Sequence, residues 1–385
     1  MQEEIAALEA NHTWDIEPCP LVIVPLGCKW VYSVKVRSDG SLDRYKARLV
    51  ALGNNQEYGV NYEETFAHVA KMTTVRTILA LAASNVGIVV LLVYVDDIVI
   101  TGSNSALLGQ LKTHLSESFH MKDLGSLTYF LGLEVHHSPS GISLNQHKYA
   151  NDLVATAGLQ GATSVDTPME LNVKLRKEED DLVADPSLYR KLVGSLVYLT
   201  ITRPDISFAV QQVSQFLQTH HLHLAIVRRI IRYVQGTSTR GLFFSAGNYT
   251  RLAAYSDANW AGCADTRCSI TGWCVFLGDA LISWKSKKQD RVSKSSTESE
   301  YRAMSLACLK SFGFEITTNP IYHERTKHIE VDCHSIREAF EARVITLPHI
   351  STDLQIADIF TKALPCHRHC LLSSKLMLID QRASI

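Results

Sequence analysis

Apolar and polar positions follow two different periods along this chain, and a change of period near residue 85 marks its clearest predicted element. Residues 88–95 and 98–100 are apolar and rich in β-branched side chains, and two residues separate them, which predicts a tight β-hairpin. Before Ser84-Asn85, the apolar residues follow helical spacing. Residues 78–95 form a long apolar stretch, but the change of period predicts a helix followed by a strand rather than a membrane span.

The same two periods predict further helices and strands downstream. Proline in the first turn and apolar residues at helical spacing favour a helix from Thr202-Arg203-Pro204-Asp205. Residues 170–186 are charged and rich in turn formers, which predicts a linker, and residues 250–365 change to hairpin strands followed by a helix from Ser296. The other predicted elements are strands at 29–36, 48–52, 127–135 and 142–144 and helices at 107–119 and 222–234.

The composition is that of a globular protein with free thiols. The 385 residues suffice for roughly two to three domains, and 46% apolar with 20% charged residues argue against wholesale disorder. The formal net charge of −1 excludes a global basic field, so any nucleic-acid-binding surface must be local. Nine cysteines without a C-x2-C pair favour a reducing compartment, and Met1-Gln2-Glu3-Glu4 is unlike the start of a signal peptide.

Two adjacent carboxylates, Asp96 and Asp97, occupy the connection of the predicted hairpin. Burial of the apolar flanks would hold both acids rigidly at the strand ends. Mg²⁺ prefers hard carboxylate oxygens, and phosphoryl transfer with two metal ions needs such a clamp. The alternative is a buried strand closed by a polar turn, and Tyr94-Val95-Asp96-Asp97 alone does not decide between the two.

Three further carboxylates in the last third of the chain suggest a second acidic site. We expect Asp257 at the end of a short strand, Glu300 on the first turn of a helix and Asp358 on another helix. Acids delivered in this way can converge on two metal ions and hydrolyse a phosphodiester. Each has a plainer alternative, because Thr297 and Glu300 have the spacing of a capping box and Asp358 fits a solvated helix acid.

The order of these motifs resembles the reverse transcriptase–ribonuclease H region of copia-type long-terminal-repeat retrotransposon polyproteins, with plant copies the most similar. The resemblance covers nearly the whole chain. It rests on Lys29-Trp30-Val31-Tyr32, Arg44-Tyr45-Lys46-Ala47-Arg48-Leu49-Val50, Glu64-Thr65-Phe66, Tyr94-Val95-Asp96-Asp97, Met121-Lys122-Asp123-Leu124-Gly125, Tyr129-Phe130-Leu131-Gly132, Thr202-Arg203-Pro204-Asp205, Ser256-Asp257, Ile282-Ser283-Trp284, Ser295-Ser296-Thr297-Glu298, Arg325-Thr326-Lys327-His328-Ile329 and Ala357-Asp358.

The resemblance implies an α+β chain with four parts. Polymerase fingers and palm would cover residues 1–170, and thumb and connection helices residues 171–250. A ribonuclease H-like α/β domain with a mixed sheet would follow over residues 251–365, and a tail over residues 366–385.

The resemblance also implies an activity and its surroundings. The family is an RNA-directed DNA polymerase and RNA–DNA hybrid ribonuclease with Mg²⁺, or Mn²⁺, as cofactor. The implied partners are an RNA template, a DNA primer and the RNA–DNA hybrid, with no membrane, and the integrase and protease parts of the intact element. The implied location is the cytoplasm, in a virus-like particle of the intact element, or the nucleus.

Residues of the polymerase part acquire expected roles from the resemblance. Asp96 and Asp97 would belong to its metal site, and Lys46 and Arg48 would contact the phosphates of the incoming nucleotide. The alternative for Lys46 and Arg48 is a solvated basic strand edge. A basic helical face further along the chain could track phosphates, and a solvated face explains it equally well. That face consists of Arg228, Arg229 and Arg232.

Residues of the ribonuclease H part acquire roles in the same way. Asp257, Glu300 and Asp358 match the metal ligands of that site, and His349 resembles its mobile histidine. The family places a further Asp on a strand soon after the helix of Glu300, but the chain is deleted near residues 311–318.

The polymerase part shows a similar gap. In the family, a strand with the first catalytic Asp follows the helix that ends near Ala83, whereas here the chain is deleted near residues 84–88. No Asp or Glu lies between Lys71 and Asp96 to replace it. We therefore expect a copia-type reverse transcriptase with ribonuclease H that is catalytically defective in this copy. The alternatives are a non-catalytic nucleic-acid-binding remnant and a non-functional transposon relic.

Overall fold

A computed structural model describes residues 25–36, 41–52, 71–84, 89–94, 97–102, 104–118, 123–173, 175–176, 185–216, 221–249, 251–312 and 336–380, with single positions at 2, 5, 6, 9 and 18. The chain divides into two compact units, residues 1–69 and 70–385. Both predicted deletion points, near 84–88 and 311–318, lie largely outside the described residues.

The first unit contains one antiparallel hairpin among its described residues, formed by β1 (Cys28–Val36) and β2 (Leu42–Ala51). Its register places Cys28 opposite Ala51 and shifts between Lys35 and Val36. The predicted strand at 29–36 is confirmed. The second strand begins at residue 42 rather than 48, because the charged residues at its start pair with β1, a long-range effect that local pattern does not reveal.

The second unit mixes helices and strands, which confirms the predicted α+β content. Its elements are α1 (Met72–Ala83), β3 (Val89–Tyr94), β4 (Asp97–Gly102), α2 (Ser105–Ser118), β5 (Tyr129–Phe130), β6 (Leu133–Ser138), β7 (Gly141–Asn145), α3 (His147–Thr156), α4 (Pro186–Leu199), α5 (Ser207–Ser214), α6 (His221–Gly236), β8 (Arg240–Ser245), β9 (Leu252–Asn259), β10 (Ile270–Leu277), β11 (Ala280–Lys288), α7 (Ser296–Phe312), α8 (Cys366–Lys375) and β12 (Leu378–Asp380). Short 3-10 turns lie at Pro204–Ile206, Thr352–Leu354 and Ile356–Phe360.

The strands of the second unit form three sheets, and every pairing among the described strands is antiparallel. Their orders are β3-β4, β9-β10-β11 and β5-β6-β7-β8-β12. The parallel pairing that a mixed ribonuclease H-like sheet requires is not among these described strands. The last strand of the five-stranded sheet comes from the segment predicted as a tail, since Leu378 of β12 lies opposite Leu242 of β8.

Apolar residues collect in two cores. One core lies around the strands, where α1 packs against β11 and β8. The other lies among helices α3 to α6. The helix predicted from Thr202 starts as a 3-10 turn and continues as α5, and its predicted apolar positions Ile206, Val210 and Val213 are buried. No helix within the described ranges is both long and apolar enough to cross a membrane.

A buried ion pair stabilises the helical core. Arg203 donates to both carboxylate oxygens of Asp205, at 2.9 and 2.7 Å, and both side chains are almost fully buried. Tyr233 of α6 donates to Asp205 at 2.7 Å, and Arg203 also donates to the carbonyl of Thr237 at 2.8 Å. Burial alone would raise the pKa of Asp205, but the charge and hydrogen bonds of Arg203 outweigh it and hold that pKa well below its usual value.

A second buried guanidinium lies in the core around the strands. Arg76 of α1 donates to the carbonyl of Ile201 at 2.7 Å and to that of Ile282 in β11 at 3.3 Å. It also lies 3.9 Å from the ring centroid of Trp284. Burial lowers the pKa of Arg76 to about 9. This one side chain therefore joins α1 to the end of α4 and to the three-stranded sheet.

Loss of the charge on Asp205 should destabilise the second unit strongly. In Asp205→Asn, Arg203 stays buried without an anionic partner, and breaking a buried pair in this way costs about 3–5 kcal/mol. Urea unfolding followed by circular dichroism measures the change, and Asp152→Asn, at an exposed acid of α3, is the matched control. The double variant Arg203→Met/Asp205→Leu should recover most of the loss, because both charges are removed together. An Asp205→Asn protein as stable as the control would contradict this view of the core.

Candidate active site

Three carboxylates that are distant in sequence come together around β9, and we call Asp257, Glu300 and Asp358 the acid cluster. Asp257 lies in β9, opposite Gly272 of β10. Glu300 lies in α7, which packs against β9, and its carboxylate accepts a hydrogen bond from the backbone N–H of Ala258. Asp358 lies in the 3-10 turn Ile356–Phe360, which packs against β9 and β10. The expected convergence of the three acids is therefore present.

Gly272 allows the turn that carries Asp358 to approach the sheet. A Cβ at this position would lie 2.6 Å from Cβ of Phe360 and 2.7 Å from Cγ2 of Thr361. Such contacts are sterically forbidden, so only glycine permits this packing. Because Gly272 is directly opposite Asp257, the same close approach brings Asp358 and Asp257 together.

Two cationic side chains and a hydroxyl contact carboxylate oxygens of Asp257 and Asp358. Lys362 Nζ lies 2.8 Å from Oδ1 of Asp358 and 3.5 Å from Oδ2 of Asp257. Arg368 of α8 donates to Oδ2 of Asp358, and Thr361 donates its hydroxyl hydrogen to Oδ2 of Asp257. The two aspartates are thus neutralised by side chains of this chain.

Burial and neighbouring charges shift the pKa values of Glu300, Asp358 and Lys362. Burial and the nearby charge of Asp257 raise the pKa of Glu300 to about 7, although the Ala258 N–H and Lys362 oppose the shift. Burial and Asp257 also raise the pKa of Asp358, against a hydrogen bond from Lys362. Burial lowers the pKa of Lys362, but its bond to Asp358 and the two negative charges outweigh this, so that its pKa is raised.

As placed, the acid cluster does not fit a bound metal ion. Within the described part of the chain, no group of three or more His, Cys, Asp or Glu side chains is arranged to hold one. Carboxylates are suitable ligands for Mg²⁺, but Oδ2 of Asp257 and both oxygens of Asp358 contact Lys362, Thr361 or Arg368 instead. The assignment of these acids as metal ligands stays a prediction.

The plainer alternatives for Glu300 and Asp358 are wrong in this structure. Helix α7 starts at Ser296, and its capping contacts run from the Glu298 N–H to Ser295 Oγ at 3.1 Å and from the Lys294 N–H to Glu298 at 2.7 Å. Glu300 therefore lies in the second turn, beyond the cap, rather than in the first turn as expected. Asp358 is buried and belongs to a 3-10 turn rather than to a solvated α-helix.

The hairpin predicted around the first pair of acids is confirmed, but the position of its connection is wrong by one residue. Asp97, predicted in the connection, instead lies in β4, because its backbone pairs with Tyr94. Strands β3 and β4 are joined by two residues, and Asp97 begins β4 opposite Tyr94. The Asp97 side chain is exposed, and the Tyr94 ring packs edge to face on Phe130 with ring centroids 6.0 Å apart. Asp96 lies outside the described residues, so the geometry of the pair as a metal clamp stays a prediction.

The remaining candidates are placed apart from the acid cluster or lack a described side chain. Arg48 is exposed on β2, and the side chain of Lys46 lies outside the described residues. His349 is exposed in an irregular segment, and no described contact joins it to the acid cluster. Arg229 binds Glu170 at 2.7 Å and Thr167 at 3.1 Å, so part of the basic face of α6 is already engaged. The other members of that face are Arg228, which is exposed, and Arg232, which is half-buried.

Sequence reasoning missed the cations of the cluster. Lys362 follows Asp358 by four residues, and this spacing often brings an acid and a base together, so a local signal was present. Thr361 and Arg368 gave no such signal, because their contacts depend on how the 3-10 turn and α8 pack.

Comparisons with known proteins agree with the motifs. A sequence model of the family described as "Reverse transcriptase (RNA-dependent DNA polymerase)" matches residues 11–92 and 84–171. The chain is 36% identical to the Retrovirus-related Pol polyprotein from transposon RE1 of Arabidopsis thaliana over 475 aligned positions, which cover 94% of this chain and 32% of the relative. It is 31% identical to the Retrovirus-related Pol polyprotein from transposon TNT 1-94 of Nicotiana tabacum, over 95% of this chain and 36% of the relative.

A shorter relative matches more than half of this chain. An uncharacterized mitochondrial protein of Arabidopsis thaliana is 46% identical over 56% of this chain and 90% of its own length. The chain spans about a third of the length of the two Pol polyproteins. No solved structure matches the chain.

Stability should depend on pH through Glu300. The pKa of Glu300 in the folded chain is about 7 and lies above the usual value of about 4.3. The favourable contribution of Glu300 to the free energy of unfolding is therefore complete below about pH 4.3 and is lost as pH rises through 7. Glu300→Gln removes this loss, so the melting temperature of the variant should exceed that of the parent increasingly from about pH 4.5 to 7. Thermal unfolding across this range measures the difference, with Glu341→Gln, at an exposed acid, as control. A constant difference across the range would contradict the raised pKa.

Proposed function

Since this chain belongs to the copia-type Pol polyprotein family and contains its reverse transcriptase domain, we propose that it descends from an RNA-directed DNA polymerase with ribonuclease H and is catalytically defective in both sites. The observation that carries the proposal is the ion-paired acid cluster, together with the carboxylate missing from each site. The two sites are argued in turn.

The polymerase site lacks its first carboxylate. The family model matches in two segments that meet at residues 84–92, where the sequence runs from α1 into β3 without the expected strand. The RE1 alignment has more positions than this chain has residues, so part of the relative's matched region has no counterpart here. Both findings support a deletion at this point. Asp96 and Asp97 alone make a poor clamp for two metal ions against the repulsion between phosphates.

The ribonuclease H site has lost one acid, and two of the remaining acids form ion pairs within the chain. Two-metal hydrolysis needs carboxylate oxygens that are open to the metal ions and to the attacking water. In this chain, Lys362 bridges Asp257 and Asp358, and Arg368 binds the second oxygen of Asp358. Burial and the charge of Asp257 raise the pKa of Glu300 to about 7, which makes it a weaker anionic ligand than an ordinary glutamate. These contacts support the loss of hydrolysis.

The substrates and partners of the lineage follow from the family. Reverse transcriptases use divalent metal ions, and Mg²⁺ is the ion we propose for the intact element. The proposed nucleic acids are an RNA template, a DNA primer and their hybrid, and integrase and protease parts would belong to the same polyprotein. The cytoplasmic virus-like particle is the proposed place of action of the intact element.

The purified chain should show no turnover. Primer extension on an RNA template and cleavage of an RNA–DNA hybrid, each in Mg²⁺ and in Mn²⁺, should match the background of Asp97→Asn and Asp257→Asn. The physical reason is the lost transition-state stabilisation, since each 1.4 kcal/mol lost slows the reaction about tenfold. Activity in the parent chain that disappears in either variant would overturn the proposal.

Restoring the missing segments should restore activity. In a chimera, the segments of the RE1 polyprotein that correspond to the gaps near residues 84–88 and 311–318 are inserted into this chain. We expect primer extension and hybrid cleavage to appear in the chimera and to disappear again in its Asp97→Asn and Asp257→Asn forms. A folded chimera without either activity would favour a non-catalytic binding role instead, recognisable by salt-sensitive binding to the hybrid.

A further inference from the structure

We propose that Lys362 is an internal cation that occupies the acid cluster in place of a divalent metal ion, and that it keeps this copy folded without metal. The inference rests on the proposed function, because it explains what fills a hydrolytic site that has lost a ligand. It assigns to Lys362 a positioning role and not a catalytic one.

The geometry of Lys362 is that of a bridging cation. Its ammonium group contacts one oxygen of Asp358 at 2.8 Å and one of Asp257 at 3.5 Å. Asp257 and Asp358 are 101 residues apart in the sequence, so no local conformational preference explains why both contact Lys362. An ammonium has three N–H donors and can satisfy carboxylates on different elements, as a metal ion does.

Two further donors contact the aspartates of the cluster. Arg368 donates to the second oxygen of Asp358 and also to the carbonyl of Thr352 at 2.6 Å. Thr361 donates to the oxygen of Asp257 that faces Lys362. A divalent ion would have to displace the ammonium and break these bonds. Mg²⁺ also sheds its water reluctantly and demands octahedral geometry, so the exchange is unfavourable.

The backbone that carries Lys362 is fixed on both sides of Asp257. Gln355 donates to the carbonyl of Ser256 at 3.0 Å, and Asn259 donates to the carbonyl of Thr361 at 3.3 Å. Together with the close packing at Gly272, these bonds hold the segment from 355 to 362 along β9. The ammonium is therefore delivered to the cluster by the fold, although its side chain remains 41% exposed and open to competition from solvent ions.

Charge balance explains why the cluster needs a cation. Asp257, Glu300 and Asp358 lie close together in a partly buried site, and like charges in such a site destabilise the fold. Lys362 and Arg368 compensate two of these charges. Removal of Lys362 should leave uncompensated negative charge in the acid cluster, which a divalent ion can neutralise.

The test compares the full-length parent chain with Lys362→Met and with the matched control Lys375→Met, at a lysine in the last turn of α8. Mn²⁺ binding is followed by the electron paramagnetic resonance of the free ion, and melting temperature is measured in EDTA and in Mg²⁺. We expect Lys362→Met to bind Mn²⁺ about tenfold more tightly than the parent or more. We also expect it to melt at a lower temperature in EDTA and to recover in Mg²⁺, whereas the parent and Lys375→Met melt equally in both.

A second variant keeps the test decisive if Lys362→Met folds poorly. Lys362→Met/Asp257→Asn removes one positive and one negative charge, so it should fold in EDTA and lose the gained Mn²⁺ affinity. Equal Mn²⁺ affinity of the parent and Lys362→Met, or equal melting of the two in EDTA, would overturn the inference. Metal binding by the parent without hybrid cleavage would refute this inference alone, whereas hybrid cleavage by the parent would refute the proposed loss of function.

Discussion

The buried ion pair between Arg203 and Asp205 is the interaction on which most of the second unit depends. A charge removed from water is tolerable only beside an opposite charge and with its hydrogen bonds satisfied, and this pair meets both conditions. Asp205 also accepts a bond from Tyr233, and its carbonyl contacts His369 of α8 at 3.2 Å. The pair therefore fixes α6 and α8 relative to each other, and α8 follows directly on the segment that carries the acid cluster.

The influence of this pair extends to the acid cluster through a shared cavity. Asp205 and His369 line a small cavity together with Lys362 and Ala363. Lys362 therefore lies beside the ion pair and also contacts Asp257 and Asp358. The segment predicted as a tail contacts both places, since His369 contacts the carbonyl of Asp205 and Arg368 binds Asp358.

Local pattern was sufficient for features set by near neighbours and insufficient for those set by packing. The β3–β4 hairpin and the position of Asp257 on a strand followed from periodicity and turn length. The cap of α7 did not follow from the sequence. The capping-box spacing occurs twice, in Ser295 with Glu298 and in Thr297 with Glu300, and only the start of the helix decides between the two pairs. The bond from Arg203 to Thr237 and the pairing of β12 with β8 join distant segments, and no spacing in the sequence encodes them.

A chain that loses a metal ligand keeps the repulsion of the acids that remain. The acid cluster is held in place by Gly272, by α7 and by the turn around Asp358, so the carboxylates have no freedom to separate. Such a cluster must bind a cation, take up protons or unfold. Here Glu300 takes up protons readily, with its pKa of about 7, and Lys362 supplies the cation. The fold therefore tolerates these clustered acids without a metal ion, because their charges are balanced from within the chain.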